Sequence, residues 1–214
     1  MTPSQIAEAA RRRYNAIGDS FWSDDEMYQL IYDACLELAQ ETNCIERTFT
    51  TTTVSGTQEY DFPTNVLSIK RMTYDGAKLR PISMREDDAL TGLNSSTTST
   101  GTPQYYYIWN KTVSLRPVPD DAKTLKVYAY TFPSTISSTS TLEVPEEFHM
   151  KLINYILQQM TAKDQNYQAA QYYLALWEKD KRDVLAYVRR KRRADAFMMV
   201  QDEELLSDSY LGGI

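Results

Sequence analysis

Few residues in this 214-residue chain have the types and spacing that catalysis requires, and the lone histidine is the first candidate. His149 follows Pro145-Glu146-Glu147-Phe148 in the first turn of a predicted helix. Zinc sites of the HExxH kind need a second histidine, and nucleophilic triads need a base with partners at a recognisable spacing. The sequence contains neither arrangement. We therefore expect His149 to be a packing or helix-surface residue.

Glu86-Asp87-Asp88 is the densest carboxylate cluster before the C-terminal segment. Paired carboxylates can hydrolyse glycosides or bind Mg²⁺. Here they follow Ser83 within a predicted short helix, residues 83–90, where acidic side chains stabilise the N-terminal turn. The sequence also lacks a Walker phosphate loop, a GxGxxG motif and paired CxxC motifs. We predict no enzymatic activity, no cofactor and no metal.

Arg189 to Arg193 form a run of five cations, the main candidate for contact with nucleic acid. The whole chain nevertheless carries a net charge of −6. Non-specific DNA affinity comes from cations that neutralise phosphates, so a general DNA-coating role is disfavoured. A basic run at a helix C-terminus commonly satisfies free carbonyls. In an assembly threaded by DNA it could instead face the duplex or an acidic partner, and the sequence leaves both readings open.

Helices at both ends of the chain must position these groups. Residues 3–17 predict a first helix. Ser23 predicts the start of a second helix, because Glu26 can complete a capping box and Trp22 can form a hydrophobic staple with Met27. The apolar residues that follow recur at helical spacing, which predicts one face packed on a core.

Two further helices are predicted after the middle of the chain. Pro145 begins the third helix, and Asp164 is the predicted cap of the fourth, which closes at Arg193. Residues 194–214 hold five acidic residues and no Lys or Arg. We interpret this segment as an extended arm that orders on a partner, with a frayed terminus as the alternative.

Residues 45–132 change to a Thr-, Val-, Tyr- and Gly-rich composition that is typical of β-strands. Asp75-Gly76 predicts a tight hairpin turn, and Asn110-Lys111 predicts a second one. Residues 94–102 and 134–141 are rich in Ser and Thr, which predicts loops. The predicted fold class is α+β: a helical bundle from residues 1–44 and 145–193, an inserted antiparallel β domain at 45–144, and the arm at 194–214.

Cys35 and Cys44 are the only cysteines. Nine positions apart in or near one predicted helix, they would lie about 13 Å apart along its axis. That separation excludes a disulfide while the helix is intact, so we expect both to be reduced. The chain has no apolar run long enough for a membrane span and no apolar N-terminal signal, so we expect synthesis in the cytoplasm.

Three short sequence motifs lie within the β region. They are Ser55-Gly56-Thr57-Gln58-Glu59-Tyr60-Asp61-Phe62-Pro63, Gly101-Thr102-Pro103-Gln104-Tyr105-Tyr106 and Leu115-Arg116-Pro117-Val118-Pro119-Asp120. In this order between two helical blocks, the chain resembles the head-to-tail adaptor, or connector, proteins of tailed and most closely short-tailed bacteriophages. The resemblance implies a structural virion protein at the head–tail junction.

The resemblance also implies partners. Twelve copies would form a ring that binds the portal protein on one side and a tail nozzle or hub protein on the other. The ring would close the head and let genomic DNA pass without specific binding, and no membrane would be involved. The expected portal-side residues are Arg189, Arg190, Arg192, Arg193, Phe197, Met198, Met199, Leu205 and Leu206. The expected tail-side residues are Tyr74, Asp75, Gly76, Tyr105, Tyr106, Tyr107 and Trp109.

Two alternatives from other classes remain at this point. A tail-associated peptidoglycan hydrolase would use Glu86 or nearby acids and requires two opposed carboxylates in a cleft. A small DNA-binding factor would use the basic run at 189–193 together with Arg11, Arg12 and Arg13 and would bind duplex with steep salt dependence.

Overall fold

The computed structural model describes residues 1–18, 21–91 and 99–208, with the backbone alone at residues 90–91 and 194–208. The chain divides into two compact units, which we call the helical unit (Met1–Cys44 with Thr135–Ile214) and the β unit (Ile45–Ser134). The α+β class predicted from the sequence is confirmed. Residues 135–144, which the sequence assigned to the β domain, fall in the helical unit.

The regular elements alternate between long helices at the ends and strands in the middle. In chain order they are α1 (Pro3–Tyr14), α2 (Asp24–Thr42), β1 (Glu46–Thr52), β2 (Glu59–Asp61), β3 (Val66–Tyr74), β4 (Ala77–Lys78), β5 (Arg80–Pro81), α3 (Met84–Thr91), β6 (Thr100–Gly101), β7 (Tyr105–Trp109), β8 (Thr112–Arg116), β9 (Val118–Pro119), β10 (Thr124–Thr131), a 3₁₀ turn (Glu146–Phe148), α4 (His149–Lys163) and α5 (Tyr167–Asp208).

The ends of α1 and α2 show how local sequence sets helix bounds. Thr2 and Gln5 form a reciprocal capping box at the start of α1. The helix ends at Tyr14, three residues before the predicted end, because Asn15 takes the left-handed conformation that asparagine tolerates. At the start of α2, the Ser23 hydroxyl accepts the Glu26 N–H at 3.3 Å. The predicted capping box also required the Glu26 carboxylate to accept from the Ser23 N–H. That carboxylate instead accepts from Lys163 of α4 at 2.5 Å.

The C-terminal helix differs from its prediction at both ends. The side chain that caps its first turn is Asn166, whose Oδ1 accepts the Ala169 N–H at 3.2 Å. Asp164, the predicted cap, instead ends α4 and accepts a hydrogen bond from the Tyr14 hydroxyl. The helix does not end at Arg193 but continues to Asp208, so the backbone of residues 194–208 is helical rather than an extended arm.

Charged side chains join the helices around an apolar core. Lys181 of α5 is 5 % exposed and contacts Glu37 at 2.6 Å, Glu41 at 2.7 Å and Glu178 at 2.8 Å, which links α5 to α2. Asp180 accepts from Lys151 of α4 at 2.7 Å. The core beneath these contacts contains Ile6, Ala10, Met27, Ile31, Ala34, Leu38, Leu152, Ile153, Ile156, Leu157, Met160, Trp177 and Val184.

The β unit contains two four-stranded sheets with orders β1-β10-β3-β4 and β2-β8-β7-β5, together with the short β6-β9 pair. The long pairings are antiparallel as predicted, whereas the two-residue pairs β5–β7 and β6–β9 are parallel. Both predicted hairpin turns are confirmed, with positive φ at Asp75, Gly76, Asn110 and Lys111. The shared core comprises Met72, Tyr74, Leu79, Tyr106, Val113, Leu115, Leu125, Val127 and Ala129. Each sheet therefore has one buried face and one outer face.

Candidate interaction surfaces

The acidic cluster in α3 has a structural role for two of its three carboxylates. Asp87 is buried and accepts two hydrogen bonds from the Arg116 guanidinium, at 2.8 and 3.0 Å. Burial alone would lower the pKa of Arg116, but its bonds to Asp87 outweigh burial and raise it. Glu86 accepts from the Ser83 N–H at 2.6 Å and from the Ser83 hydroxyl at 2.8 Å, which lowers its pKa. This arrangement joins α3 to β8 and does not resemble a pair of opposed catalytic carboxylates.

His149 is also held by packing. The side chain is buried, and its Nε2 atom lies 2.8 Å from the Val144 carbonyl oxygen. Among the residues that the structure describes, no group of three or more His, Cys, Asp or Glu side chains is arranged to hold a metal ion. Within the same described ranges, no helix is long and apolar enough to cross a membrane.

The basic run at the end of the fourth predicted helix lies in the middle of α5. Arg189, Arg190 and Arg193 are exposed. Arg192 is half-buried and donates to the carbonyl oxygen of Asn43, just past the end of α2, at 3.0 Å. One residue of the run therefore satisfies a carbonyl at another helix's C-terminus, and the other four, including Lys191, remain on the surface.

The remaining portal-side candidates lie on the backbone of α5 beyond the basic run. Their side chains fall outside the described residues, so only their place in the helix is known. They are Phe197, Met198, Met199, Leu205 and Leu206.

The tail-side candidates do not share one surface. Tyr74 and Tyr106 are buried in the core of the β unit, so their side chains stabilise the fold and cannot contact a partner. Tyr105, Tyr107 and Trp109 alternate on the outer face of the second sheet, where Trp109 is 65 % exposed. Period-two alternation in Tyr105-Tyr106-Tyr107 was the sequence signal for this split, because it places the middle tyrosine on the opposite face of the sheet from its two neighbours.

The two hairpin turns lie at opposite ends of the β unit. The Asp75 N–H donates to the Thr124 carbonyl at 2.9 Å, at the start of β10. At the other end of β10, the Phe132 N–H donates to Asn65 at 2.8 Å, and the nearby Phe62 N–H donates to Lys111 at 2.9 Å. The chain enters and leaves the unit at this second end. The Asp75-Gly76 turn is thus distal to the chain connections, and the Asn110-Lys111 turn is proximal.

A basic surface that sequence reasoning missed covers the outer face of the first sheet. Lys126 and Tyr128 on β10 lie beside Thr73 and Arg71 on β3, and Lys78 on β4 pairs with Thr73. The Arg71 guanidinium lies 5.8 Å from the Tyr128 ring centroid. We define the basic face by its cations and tyrosines, which are Lys70, Arg71, Lys78, Lys126, Tyr128 and Tyr130.

This face is open to solvent as a shallow depression of about 630 Å³. A second depression of about 400 Å³ shares Arg71 and Tyr128 with it and extends to Lys126. Two carboxylates line these depressions: Glu46 lies 3.3 Å from Lys70, and Asp75 lies 3.6 Å from Lys123. The surface therefore has a clear excess of positive charge.

The outer face of the second sheet has the opposite character. Glu59 and Asp61 on β2 are exposed and lie on the same side as Tyr107 and Trp109, because Glu59 pairs with Ser114 and Ser114 pairs with Tyr107. We call these four residues the acidic-aromatic face. Arg116 at the other end of β8 is neutralised by Asp87, and Arg80 lies on the far edge strand β5.

A family model described as SU10 adaptor protein matches residues 1–201, which include the whole β unit and the helical unit up to residue 201. The chain belongs to the SU10 adaptor protein family. The resemblance to phage head-to-tail adaptors drawn from the sequence is confirmed at the level of the family. Membership in this family supports a structural adaptor role in a phage virion.

The SU10 adaptor assignment agrees with the site geometry, since the strongest catalytic candidates in the sequence hold the fold together. An adaptor family indicates a structural, non-enzymatic protein that contacts other phage head and tail proteins. No significant match was found among curated proteins.

Proposed function

We propose that this chain forms a ring of twelve copies between the portal and the tail of a short-tailed phage. The ring closes the filled head and leaves a channel through which DNA leaves. The observation that carries the proposal is the family match over residues 1–201. In this proposal the chain assembles in the host cytoplasm and acts at the head–tail junction.

We place the helical unit toward the portal. Its α5 combines three exposed arginines, Arg189, Arg190 and Arg193, with a helical continuation to Asp208. That continuation carries the apolar residues Phe197, Met198, Met199, Leu205 and Leu206. A helix with apolar side chains can dock in a groove of a partner, and adjacent cations fix its register.

We place the distal end of the β unit toward the tail nozzle or hub protein. This end presents the Asp75-Gly76 turn, and the exposed Val54 lies in the segment that follows β1. The Ser55 hydroxyl donates to the Asp120 carbonyl at 2.9 Å, and Gly56 N–H donates to Pro119 at 2.8 Å, which brings that segment to the 119–124 connection beside the turn. Trp109 lies at the proximal end, so it is not part of this proposed tail-binding surface.

The charge of the two units suits a channel for DNA. The helical unit contains 20 Asp and Glu against 13 Lys and Arg, whereas the β unit contains nine against ten. An acidic lumen wall repels phosphates, so DNA can slide without being held. In this arrangement genomic DNA passes through the ring without specific binding.

The proposal is tested in a phage that lacks this gene. We expect filled heads that have no tail and leak DNA, and we expect plasmid-expressed protein to restore tailed, infectious particles. Electron microscopy of purified particles gives the readout, and DNA released into the medium gives a second one. Normal tailed particles at normal titre without the protein would overturn the adaptor role.

A further inference from the structure

The β unit carries two outer faces of opposite chemistry on opposite sides of one core. The basic face lies on the first sheet, and the acidic-aromatic face lies on the second. A ring of identical copies in which each contacts the next needs two different, complementary surfaces on every copy. The basic face and the acidic-aromatic face of the β unit form such a pair.

From this arrangement we infer that neighbouring β units pack head to tail, with the basic face of one copy against the acidic-aromatic face of the next. The inference rests on the ring proposed above and adds which surfaces build it. The occupant of the basic face is a second copy of this chain. The expected contacts join Arg71 and Lys126 of one copy to Glu59 and Asp61 of its neighbour.

The complementary charges of the two faces indicate that a second copy of the chain binds the basic face. The basic face has four exposed cations against two carboxylates, and both carboxylates already pair with cations, Glu46 with Lys70 and Asp75 with Lys123. The acidic-aromatic face offers two exposed carboxylates, and Trp109 beside them is 65 % exposed. An indole face is the best aromatic partner for a guanidinium or ammonium group. Both ion pairing and cation–π contact are therefore available across the same interface.

A nucleic-acid ligand fits the basic face less well. The rings of Tyr128 and Tyr130 are half-buried, with Arg71 and Lys70 5.8 Å from their respective centroids. Base stacking on a sheet needs open aromatic faces. A protein surface with carboxylates needs only the exposed cations, so we assign the basic face to protein contact.

The inference is tested by exchanging charge between the faces. One variant carries Arg71→Glu with Lys126→Glu, and a second carries Glu59→Lys with Asp61→Lys. Each variant places like charges across the interface, which weakens association of neighbouring copies by about a hundredfold. A third variant combines all four substitutions in one chain, so that opposite charges face each other again. Lys179→Glu, a reversal of an exposed cation on α5, is the matched control.

All proteins are used as full chains, first in complementation of the gene-deleted phage and then in sedimentation at several salt concentrations. We expect the two half-exchanged variants to fail, the combined variant to restore infectious particles, and the control to behave as wild type. An equal mixture of the two half-exchanged proteins should also assemble, because basic and acidic copies can alternate around a ring. Circular dichroism and thermal melting establish that each variant is folded.

Several results would overturn the inference while leaving the adaptor role intact. Half-exchanged variants that complement normally would show that these faces are not the ring contact. Failure of the combined variant and of the mixture, with every protein folded, would do the same. If Arg71→Glu with Lys126→Glu abolishes duplex DNA binding but leaves rings unchanged, the basic face serves nucleic acid. Normal particles without any copy of the protein would instead remove the proposed function itself.

Discussion

Lys181 joins α5 to α2 through ion pairs with several carboxylates. Three carboxylates surround its ammonium group, and its side chain is 5 % exposed. Burial would lower the pKa of Lys181, but its bonds to Glu178, Glu37 and Glu41 outweigh burial and raise it. The charge is therefore fully present at neutral pH, and its stabilisation is lost only as pH rises beyond the ordinary lysine range.

We predict that Lys181→Met lowers the free energy of unfolding by about 2 kcal/mol at pH 7, because three facing carboxylates lose their common partner. This loss of stability is smaller than for a fully buried ion pair, because the three glutamates are 34–50 % exposed. Urea denaturation measures the change. Lys179→Met, on the exposed side of the same helix, is the control and should change stability little. Equal effects of the two substitutions would contradict the role given to Lys181.

The two cysteines lie differently from the sequence expectation. Both are buried and free, but α2 ends at Thr42 and Asn43 takes the left-handed conformation, so Cys44 lies past the end of the helix. Burial, with smaller contributions from Cys44 and Glu143, raises the pKa of Cys35 from 9.0 to about 12. The helical rise behind the expected 13 Å separation therefore does not extend to Cys44, and both thiols are free as predicted.

We predict that the unfolding free energy falls between pH 9 and pH 12 in part because of Cys35. In this window the unfolded thiol loses its proton while the folded thiol keeps it, so the unfolded state is favoured by up to about 1.4 kcal/mol per pH unit. Denaturant titrations at several alkaline pH values give the slope. Cys35→Ala should flatten it, and an unchanged slope in that variant would contradict the assignment.

At the scale of elements, the start of α2 depends on two adjacent side chains with different roles. The Ser23 hydroxyl caps the helix, and Trp22 is 2 % exposed. The Trp22 ring makes edge contacts with Tyr14 and Phe21, and the Lys163 ammonium lies 4.4 Å from its centroid. Trp22 is thus part of a packed cluster as well as the residue before a cap.

We predict that Ser23→Ala lowers stability by about 1 kcal/mol and that Trp22→Ala lowers it by about 3 kcal/mol or more. The first loses one capping bond, whereas the second loses a buried aromatic side chain and its ring contacts. Denaturant midpoints give the ranking. Ser23→Asp keeps an acceptor at the cap and should remain near wild type. Equal or inverted losses would mean that Trp22 contributes little to the core.

Helix starts and hairpin turns were predictable because they depend on a few neighbouring residues. Ser23 and the Asp75-Gly76 turn are in this class. The end of α1 was missed because Asn15 adopts a conformation that the apolar pattern does not encode. The basic face was missed for another reason: Lys126 and Tyr128 alternate visibly on β10, but the register that places Arg71 beside Tyr128 depends on pairing between distant strands with a bulge.

At the scale of the whole molecule, the candidate surfaces divide between the two units. The exposed arginines of α5 belong to the helical unit, and the two charged faces belong to the β unit. The sequence could suggest which residue types contact partners, because exposed arginines and tyrosines are frequent at interfaces. It could not separate Tyr106 from Tyr107 with certainty, since that distinction requires knowing which sheet face is buried.

We predict that removal of residues 194–214 leaves the protein folded but weakens attachment to the head. The last buried core residue described in α5 is Val188, and Arg192 makes the last described contact with α2, so the deletion spares both. Thermal melting and complementation are the two measurements. Wild-type stability with loss of tailed particles is the expected pair of results. Stable tailed particles at normal titre would remove the portal-binding role of this segment.

The central claim is most directly tested by electron microscopy of purified portal particles mixed with this protein and then with purified tail components. We predict a ring of the protein on one face of the portal, with the helical unit toward the portal and the Asp75-Gly76 end of the β unit exposed to receive the tail. Portal particles that remain bare at saturating protein, or tail components that bind the portal equally well without it, would contradict the account.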